Sequence, residues 1–211
     1  MATLRRLRGR RAEAVRPSDY PMMFWLGQLF RDGCRKVFDV GGRVSVRYTS
    51  LARFVSFPPA LHWLVCDVPT VARQGRRRAA ERDGRRQLAF TEALEDAEGF
   101  DVLLAAGVLQ YLPAPMSEAL GTLSSKPSHL LVNSVALHPA LSFYTVQSLH
   151  GGLCVPYRIT QDREFVASYE RIGYELVDRW EIPEEKCIIP NAPRHSIDRF
   201  HGFYFRRRAL A

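Results

Sequence analysis

No Cys-x-x-Cys pair occurs in the sequence, although it contains four cysteines, Cys34, Cys66, Cys154 and Cys187. Three of them stand beside apolar or strand-forming residues. Metal sites and disulfide frameworks depend on regularly spaced cysteines. We therefore expect neither a zinc site nor disulfide bonds, and we interpret the four residues as reduced packing residues of a cytoplasmic protein.

Long apolar runs are missing as well. None approaches the roughly 18 residues that a membrane-spanning helix needs, and the arginine-rich start is not followed by the apolar core of a signal peptide. The 211 residues are enough to bury a full core. We expect a soluble protein with a flexible basic tail over residues 1–16 and a single domain over residues 17–211.

Lysine is nearly absent, with 3 residues against 27 arginines, which we interpret as compositional bias and not as phosphate chemistry. The formal net charge is +8, and residues 1–16 and 73–86 carry +5 each. The second stretch is expected to be the solvated face of a helix. Because basic patches attract nucleic acid without regard to its sequence, a specific nucleic-acid partner is not predicted.

The most informative stretch is Lys36-Val37-Phe38-Asp39-Val40-Gly41-Gly42-Arg43, an apolar run with an acidic residue and two adjacent glycines. Glycine lacks a Cβ atom, so it permits a positive φ and close approach of the backbone to a ligand. A following helix presents free backbone N–H groups to an anion. The stretch predicts the first strand of a nucleotide-type sheet turning into a cofactor loop, although the glycines alone fit a structural turn equally well.

Apolar runs and helix breakers predict an alternation of strands and helices along the chain. Strands are expected at 36–40, 61–66, 87–90, 100–107, 130–133, 174–180 and 200–206, and helices at 21–32, 46–57, 116–123 and 160–171. The alternation predicts a parallel sheet with right-handed crossovers over a core at 17–134. Residues 135–160 are expected to form an irregular loop on the substrate side, because a long irregular stretch is usually functional. The C-terminal helix and strands follow over 161–211.

An aspartate follows the second predicted strand. Asp67 lies 28 residues after Asp39, where a carboxylate can accept hydrogen bonds from both hydroxyl groups of a ribose. An N-cap for the arginine-rich helix is the alternative, and the two roles are compatible. Thr91 follows the third strand, where an adenine ring would lie. Small residues at 105–107 leave room for a ligand after the fourth strand.

Taken together, these motifs resemble the class I S-adenosylmethionine-dependent methyltransferases. The resemblance rests on the Asp39-x-Gly41-Gly42 loop, Asp67, Asp101 and the segment 109–112. A dinucleotide dehydrogenase fits less well, because its first strand normally ends apolar before GxGxxG. The closer similarity, over about residues 20–207, is to a methyltransferase family associated with bacterial surface-polysaccharide gene regions. Its hallmarks are matched by Val37–Gly42, Gly107–Leu112, Gln147, Pro156–Arg158, Gly173–Trp180 and Gly202–Phe205.

The resemblance implies a Rossmann-like α/β fold, with a mostly parallel seven-stranded sheet, an antiparallel last strand and helices on both faces. It also implies S-adenosylmethionine as cofactor and no metal. In the family pattern, Asp39 lies near the cofactor's amino group and Asp67 binds the ribose. The remaining implied cofactor contacts are Gly41 and Gly42 under the methionine and ribose portion, Thr91 near the adenine, and Ala106 and Gly107 at the methionine end.

The sequence departs from the family pattern in the cofactor loop. In the common DxGxGxG pattern, the last two glycines would fall at Arg43 and Ser45. Arg43 is compatible with an outward orientation, with a contact to the cofactor carboxylate, or with weakened cofactor binding. The departure motivates an alternative function, a catalytically silent methyltransferase fold that acts as a binding module.

Methyl transfer to a hydroxyl needs alignment and a base, and histidine's ordinary pKa of about 6.5 suits that role. The position of His138 after the fifth strand and of His150 in the predicted loop makes both candidates for the base. Packing or surface roles are the alternative for each. The expected acceptor pocket is formed by Gln110, Tyr111, Gln147 and Tyr157.

The predicted function is O-methylation of a small molecule or saccharide precursor by in-line methyl transfer. Methylation of nucleic acid through the basic stretches is a second possibility. Against it, the Asn/Asp-Pro-Pro-aromatic motif typical of exocyclic amine methylation is absent after the fourth strand, where residues 105–108 read Ala-Ala-Gly-Val. Residues 100–140 also lack the cysteine that base methylation through a covalent intermediate requires. The acceptor and the oligomeric state do not follow from the sequence.

Overall fold

The structure is a computed structural model that describes residues 15–42, 46–84, 86–149 and 152–209. The helices are α1 Tyr20–Arg31, α2 Val46–Leu51, α3 Pro69–Arg82, α4 Met116–Thr122 and α5 Asp162–Glu170. The strands are β1 Lys36–Val40, β2 His62–Cys66, β3 Leu88–Thr91, β4 Val102–Ala106, β5 His129–Val135, β6 Leu137–His138, β7 Phe143–Ser148, β8 Cys154–Gln161, β9 Tyr174–Ile182 and β10 Phe200–Arg207.

A seven-stranded sheet forms the centre of the fold, in the order β3-β2-β1-β4-β5-β10-β9. Strands β1 to β5 run parallel, whereas β10 lies antiparallel between β5 and β9. This confirms the predicted Rossmann-like α/β fold, including its antiparallel last strand. The five parallel strands bring their carboxyl ends to one edge of the sheet.

Helices cover both faces of the sheet, which explains why its central strands are continuous apolar runs. In β4, Leu103 belongs to the cluster beneath α4 and α5, and its neighbour Leu104 belongs to the cluster beneath α1 and α3. Successive side chains of a strand point to opposite faces, so both faces of β4 need apolar residues. Trp63 in β2 is fully buried in the second cluster.

The prediction of an irregular loop at 135–160 was wrong. This segment forms most of a second, three-stranded sheet in the order β6-β8-β7. Strands β7 and β8 pair as an antiparallel hairpin from Phe143 opposite Ile159 to Ser148 opposite Cys154. Along β7 the exposed positions are the apolar ones, Tyr144 and Val146, so the hydropathy pattern did not indicate a strand facing the core.

Smaller corrections concern element boundaries. Helix α2 ends at Leu51, six residues before the predicted end, since the chain turns there and brings Phe57 into a stacked contact with Trp63 at 5.4 Å between ring centroids. Thr160 lies within β8 and does not start α5. Arg16, assigned to the basic tail, forms an ion pair with Glu185 and therefore belongs to the folded part.

None of the helices in the described part of the chain is long and apolar enough to cross a membrane. The cysteines differ in their surroundings, with Cys66 and Cys187 buried and Cys154 exposed. Within the same described ranges, no group of three or more His, Cys, Asp or Glu side chains is arranged to hold a metal ion.

Candidate cofactor site at the carboxyl edge of the sheet

The strand order reverses direction between β1 and β4, which pair in parallel from Val37 opposite Val102 to Val40 opposite Ala105. In open α/β sheets, ligands bind outside the carboxyl ends of the strands at this point. Each strand is followed directly by a glycine with positive φ, Gly41 at 67° and Gly107 at 65°. The two turns thus leave the sheet in the conformation that favours glycine, on either side of the crevice.

A buried ion pair lies at this crevice. The carboxylate of Asp39, which is fully buried, accepts a hydrogen bond from Arg47 Nη1 through Oδ1 and one of 3.2 Å from Trp63 Nε1 through Oδ2. The other nitrogen of the guanidinium, Arg47 Nη2, donates to the backbone carbonyl of Ala106 at 2.9 Å. One cationic group therefore bridges the ends of β1 and β4, and its side chain is only 13% exposed.

The electrostatics of Asp39 reflect its position. Burial raises the pKa of its carboxyl group to about 6, although Arg47 and Trp63 both act in the opposite direction. A carboxylate removed from water is stabilised mainly by a cation within hydrogen-bond distance. The side chain of Asp39 and the carbonyl of Ala106 thus form a cation site, and Arg47 supplies the cation.

The loop glycines are required by packing. A Cβ atom on Gly42 would lie 2.5 Å from Asp39 Oδ2 and 2.9 Å from Val65 Cγ1, and one on Gly41 would lie 2.6 Å from Val108 Cγ2. Both glycines of the loop therefore lie directly against neighbouring side chains. Gly41 and Gly42 thus hold Asp39 in position, whatever ligand binds in the crevice.

Asp67 lies at the carboxyl end of β2, as predicted. Its Oδ1 accepts a hydrogen bond of 2.8 Å from the backbone N–H of Val68, and Val68 is the N-cap residue of α3. Asp67 therefore directly precedes the N-cap residue of α3. Burial raises the pKa of the neighbouring Cys66 thiol to about 12, with Asp67 acting in the same direction, so the thiol stays protonated at neutral pH.

Thr91 lies at the end of β3, on the same edge of the sheet. Its hydroxyl donates to Asp96 and accepts a hydrogen bond of 3.2 Å from the N–H of Ala93. The hydroxyl thus organises the turn after β3. The predicted proximity to an adenine rests on the position of Thr91 at the edge.

One of the four predicted acceptor residues, Tyr111, contacts two of the others. Tyr111, in the turn after β4, donates a hydrogen bond of 2.6 Å to Gln147 Oε1 in β7, and its ring packs edge-on against Tyr157 in β8, with centroids 5.3 Å apart. Gln147 and Tyr157 are almost fully buried. The fourth, Gln110, faces a different cavity, between α4 and α5.

The surroundings of His138 disfavour the predicted base role. Its Nδ1 accepts hydrogen bonds of 3.1 and 3.0 Å from the N–H groups of Ala140 and Leu141, and its Nε2 donates to Arg194 O at 2.9 Å. The ring is 6% exposed and both nitrogens are used by the backbone, so the arrangement gives His138 a structural role. His150, Arg43 and Ser45 lie outside the described residues, and the expectations for them stay predictions.

Sequence reasoning missed the residues that close the end of β5. Asn133, fully buried, donates to Ser18 O and Asp19 Oδ1 and accepts from Trp180 Nε1 at 2.9 Å. Arg16 donates to the hydroxyl of Ser134, whose φ is 59°. The sequence signal for this group of residues was the asparagine at the end of the predicted fifth strand. Arg47 carried none, since it is one of 27 arginines.

Comparison with solved structures finds this fold in methyltransferases. The chain is similar to the mitomycin 7-O-methyltransferase MmcR (TM-score 0.53, 15% identity), with 89% of this chain and 54% of MmcR covered, so it spans about half of that protein. It is also similar to the CcbJ methyltransferase from Streptomyces caelestis (TM-score 0.56, 16% identity, 97% and 94% covered). A third similar structure is the N-terminal domain of EvdMO1, crystallised in the presence of SAH and D-fucose (TM-score 0.61, 16% identity, 93% and 85% covered).

At these identities the similarity shows the fold of the described chain and not its activity. No protein-family model matches the sequence, and no curated protein matches it. The strand order and the crevice between β1 and β4 are therefore the features on which a functional assignment depends.

Proposed function

We propose that the protein is an S-adenosylmethionine-dependent methyltransferase that methylates a hydroxyl group of a small molecule or saccharide precursor. The observation that carries the proposal is the cation site of Asp39 and Ala106, placed at the ligand crevice of a methyltransferase fold. S-adenosylmethionine is a cation in two places, at its amino group and at its sulfur. A buried carboxylate next to a backbone carbonyl suits an ammonium group, which donates several hydrogen bonds.

The residues present fit this cofactor if the side chain of Arg47 moves away from Asp39 and Ala106. The guanidinium of Arg47 demonstrates that a cationic nitrogen reaches the Asp39 carboxylate while its neighbour reaches the Ala106 carbonyl. A ligand ammonium at the same two oxygens requires the guanidinium to leave. Arg47 lies in the short helix α2 and not in a strand, so displacing its side chain breaks its contacts to Asp39 and Ala106 without changing the pairing of the strands.

The remaining assignments follow the edge of the sheet. In the proposal, Asp67 binds the ribose hydroxyls, Thr91 lies near the adenine, and Gly41, Gly42 and Gly107 keep the backbone close to the ligand. When bound, the cofactor supplies a methyl group on a positively charged sulfur. The chain's own contribution is then alignment of the acceptor, which the proposal gives to Tyr111, Gln147 and Tyr157. His150 is the candidate base that the proposal retains.

Isothermal titration calorimetry with S-adenosylmethionine tests the proposal. The expected result is saturable binding in the range of micromolar to submillimolar concentrations. Absence of binding at millimolar cofactor, with the fold intact by circular dichroism, would contradict the proposal and favour the catalytically silent binding module. Methylation of RNA or DNA in place of small hydroxylated acceptors would favour the nucleic-acid alternative.

The ribose assignment predicts the effect of Asp67→Ala. Cofactor binding is expected to weaken by about 1 to 3 kcal/mol, because two ribose hydroxyls lose their acceptor. The free energy of unfolding is expected to fall by no more than about 1 kcal/mol, since the lost contact to the N–H of Val68 is an exposed hydrogen bond. Calorimetry and thermal unfolding separate the two quantities. An unchanged affinity with lowered stability would assign Asp67 a purely structural role.

Asp39 predicts a pH dependence of cofactor binding. Its carboxyl group has a pKa of about 6, and only the ionised form attracts an ammonium group. Affinity for S-adenosylhomocysteine is therefore expected to fall as the pH decreases through about 6. Calorimetric titrations at about pH 5 and about pH 7 measure the effect. Equal affinities at both values would show that the ligand does not contact Asp39.

The same pKa shift acts on stability with the opposite sign. The folded-state pKa lies above the ordinary value of 3.8, so the folded protein binds the proton more tightly than the unfolded chain does. The contribution of Asp39 to stability is thus most favourable below about pH 4 and is lost as the pH rises through about 6. Binding and stability therefore change in opposite directions over this interval.

A further inference from the structure

A cavity of about 240 Å³ lies between α4 and α5, on the carboxyl side of β4 and β5. Its polar end is formed by Gln110, in the turn after β4, and by Arg158, in β8. Neither the cation site of Asp39 nor the cluster of Tyr111, Gln147 and Tyr157 contributes to its lining. The cavity is therefore a separate feature of the molecule.

Two buried polar atoms at this end lack a hydrogen-bond partner among the described residues. They are Gln110 Oε1 and Arg158 Nη1. Gln110 is 7% exposed, and its Nε2 forms a long hydrogen bond of 3.5 Å to Ser134 O, which sets the orientation of the amide. Arg158 Nη2 donates to Leu109 O and Ala114 O at 3.2 Å each, which fixes the guanidinium. A buried polar atom without a partner is unfavourable, so both atoms need a complement.

The complement that the two atoms select is a neutral group that both accepts and donates a hydrogen bond. Arg158 Nη1 is a donor and requires an acceptor, and Gln110 Oε1 is an acceptor and requires a donor. An anion would satisfy Arg158 but leave Gln110 Oε1 without a donor, and the exposed side chains of the lining, Glu118, Glu164 and Arg171, carry charges of both signs. An ammonium group would satisfy Gln110 but repel Arg158. A hydroxyl or a carboxamide satisfies both.

The cavity also has apolar lining residues that suit a small ring, beside the hydroxyl groups of Ser117, Thr160 and Ser168. Met116, Phe165 and Tyr169 line it, and the two aromatic rings pack edge-on with centroids 5.1 Å apart. Known ligand pockets for drug-sized molecules measure about 300 to 1,000 Å³. The smaller volume here corresponds to a compound with a single ring.

We propose that this cavity binds a small, neutral, single-ring compound through a hydroxyl or carboxamide group held between Arg158 Nη1 and Gln110 Oε1. The proposal concerns binding alone and goes beyond methyl transfer. It holds whether or not Asp39 binds a cofactor, because none of the cavity's polar groups belongs to that site.

The test compares five benzene derivatives that differ only in their polar group, in ligand-observed NMR titrations without cofactor. Phenol and benzamide are expected to bind saturably at millimolar concentration, about tenfold or more tightly than toluene, benzoate or benzylamine, since one net hydrogen bond is worth close to this factor. Equal binding of toluene and phenol would overturn the proposal in favour of a merely apolar cleft. Tightest binding of benzoate, or no saturable binding of any compound, would overturn it too.

Matched variants locate the binding. Gln110→Met and Arg158→Met remove the acceptor and the donor, and each is expected to reduce the preference for phenol over toluene by about tenfold. Arg171→Met changes an exposed arginine that also lines the cavity, and it is expected to leave the preference intact. Arg158→Met also removes two backbone contacts, so Gln110→Met supplies the decisive variant if Arg158→Met unfolds. An unchanged preference in folded Gln110→Met would overturn the proposal.

Discussion

Replacing Arg47 with methionine is expected to lower the stability of the free protein and to tighten cofactor binding. The free energy of unfolding should fall by about 3 to 5 kcal/mol, because the buried carboxylate of Asp39 loses its cationic partner. Affinity for S-adenosylhomocysteine should rise by about tenfold or more, since the guanidinium no longer competes with the ligand's ammonium for Asp39 and Ala106. These changes of opposite sign identify Arg47 as a substitute for the ligand's cation.

The measurement combines chemical denaturation with calorimetry at about pH 8, above the pKa of about 6 that Asp39 has beside Arg47. Arg53→Met provides the matched control, because Arg53 is exposed and lies shortly after α2, with its guanidinium over the ring of Phe54. The control should change neither quantity by more than the small amount typical of surface sites. A lower affinity in Arg47→Met would show that Arg47 binds the ligand directly. It would contradict the claim that Arg47 occupies the place of the ligand's ammonium group.

Gly42→Ala is expected to impair both folding and binding. The new Cβ atom would lie 2.5 Å from Asp39 Oδ2, the oxygen that accepts the hydrogen bond from Trp63, and 2.9 Å from Val65 Cγ1. Relieving these contacts requires movement of the buried carboxylate, so stability should fall by about 1 to 3 kcal/mol. Affinity for S-adenosylhomocysteine should fall by about tenfold or more, because the displaced carboxylate no longer faces the crevice.

Gly84→Ala is the control for this substitution. Gly84 follows α3, and a Cβ atom there would have nothing within 4 Å. The control should leave binding unchanged and stability equal or slightly higher, by up to about 1 kcal/mol, through the unfolded state. If Gly42→Ala behaved like Gly84→Ala in both measurements, the packing of the cofactor loop against Asp39 would not determine the site.

The candidate cofactor site was accessible to sequence reasoning because its signals are local. Asp39 and the two glycines lie at the end of one apolar run, and Asp67 follows another. These positions can be read from the order of the residues alone. The antiparallel last strand was predicted from the resemblance and not from periodicity, since pairing between distant strands leaves no local pattern. The fold prediction was therefore correct where local motifs resemble those of a known fold.

The hairpin of β7 and β8 was missed because its exposed face is the more apolar one. Tyr144 and Val146 are exposed, whereas polar Gln147 is buried and bonded to Tyr111. Burial of a polar side chain with its partner reverses the alternation from which a half-buried strand is recognised. Pro156 within β8 also argued against a strand in sequence terms.

The ion pair of Asp39 and Arg47 was equally inaccessible. An arginine eight residues after an aspartate is ordinary in a sequence with 27 arginines, and only the path of the chain brings this one back into the sheet. The unpaired atoms of Gln110 and Arg158 depend on contacts between three segments of the chain and leave no local pattern either.

A crystal structure of the protein with S-adenosylhomocysteine tests the central claim most directly. The ligand's amino nitrogen is expected within hydrogen-bond distance of both the Asp39 carboxylate and the Ala106 carbonyl, with the Arg47 guanidinium displaced from both. A ligand bound elsewhere, with Arg47 still bonded to Asp39, would contradict the assignment of this crevice as the cofactor site.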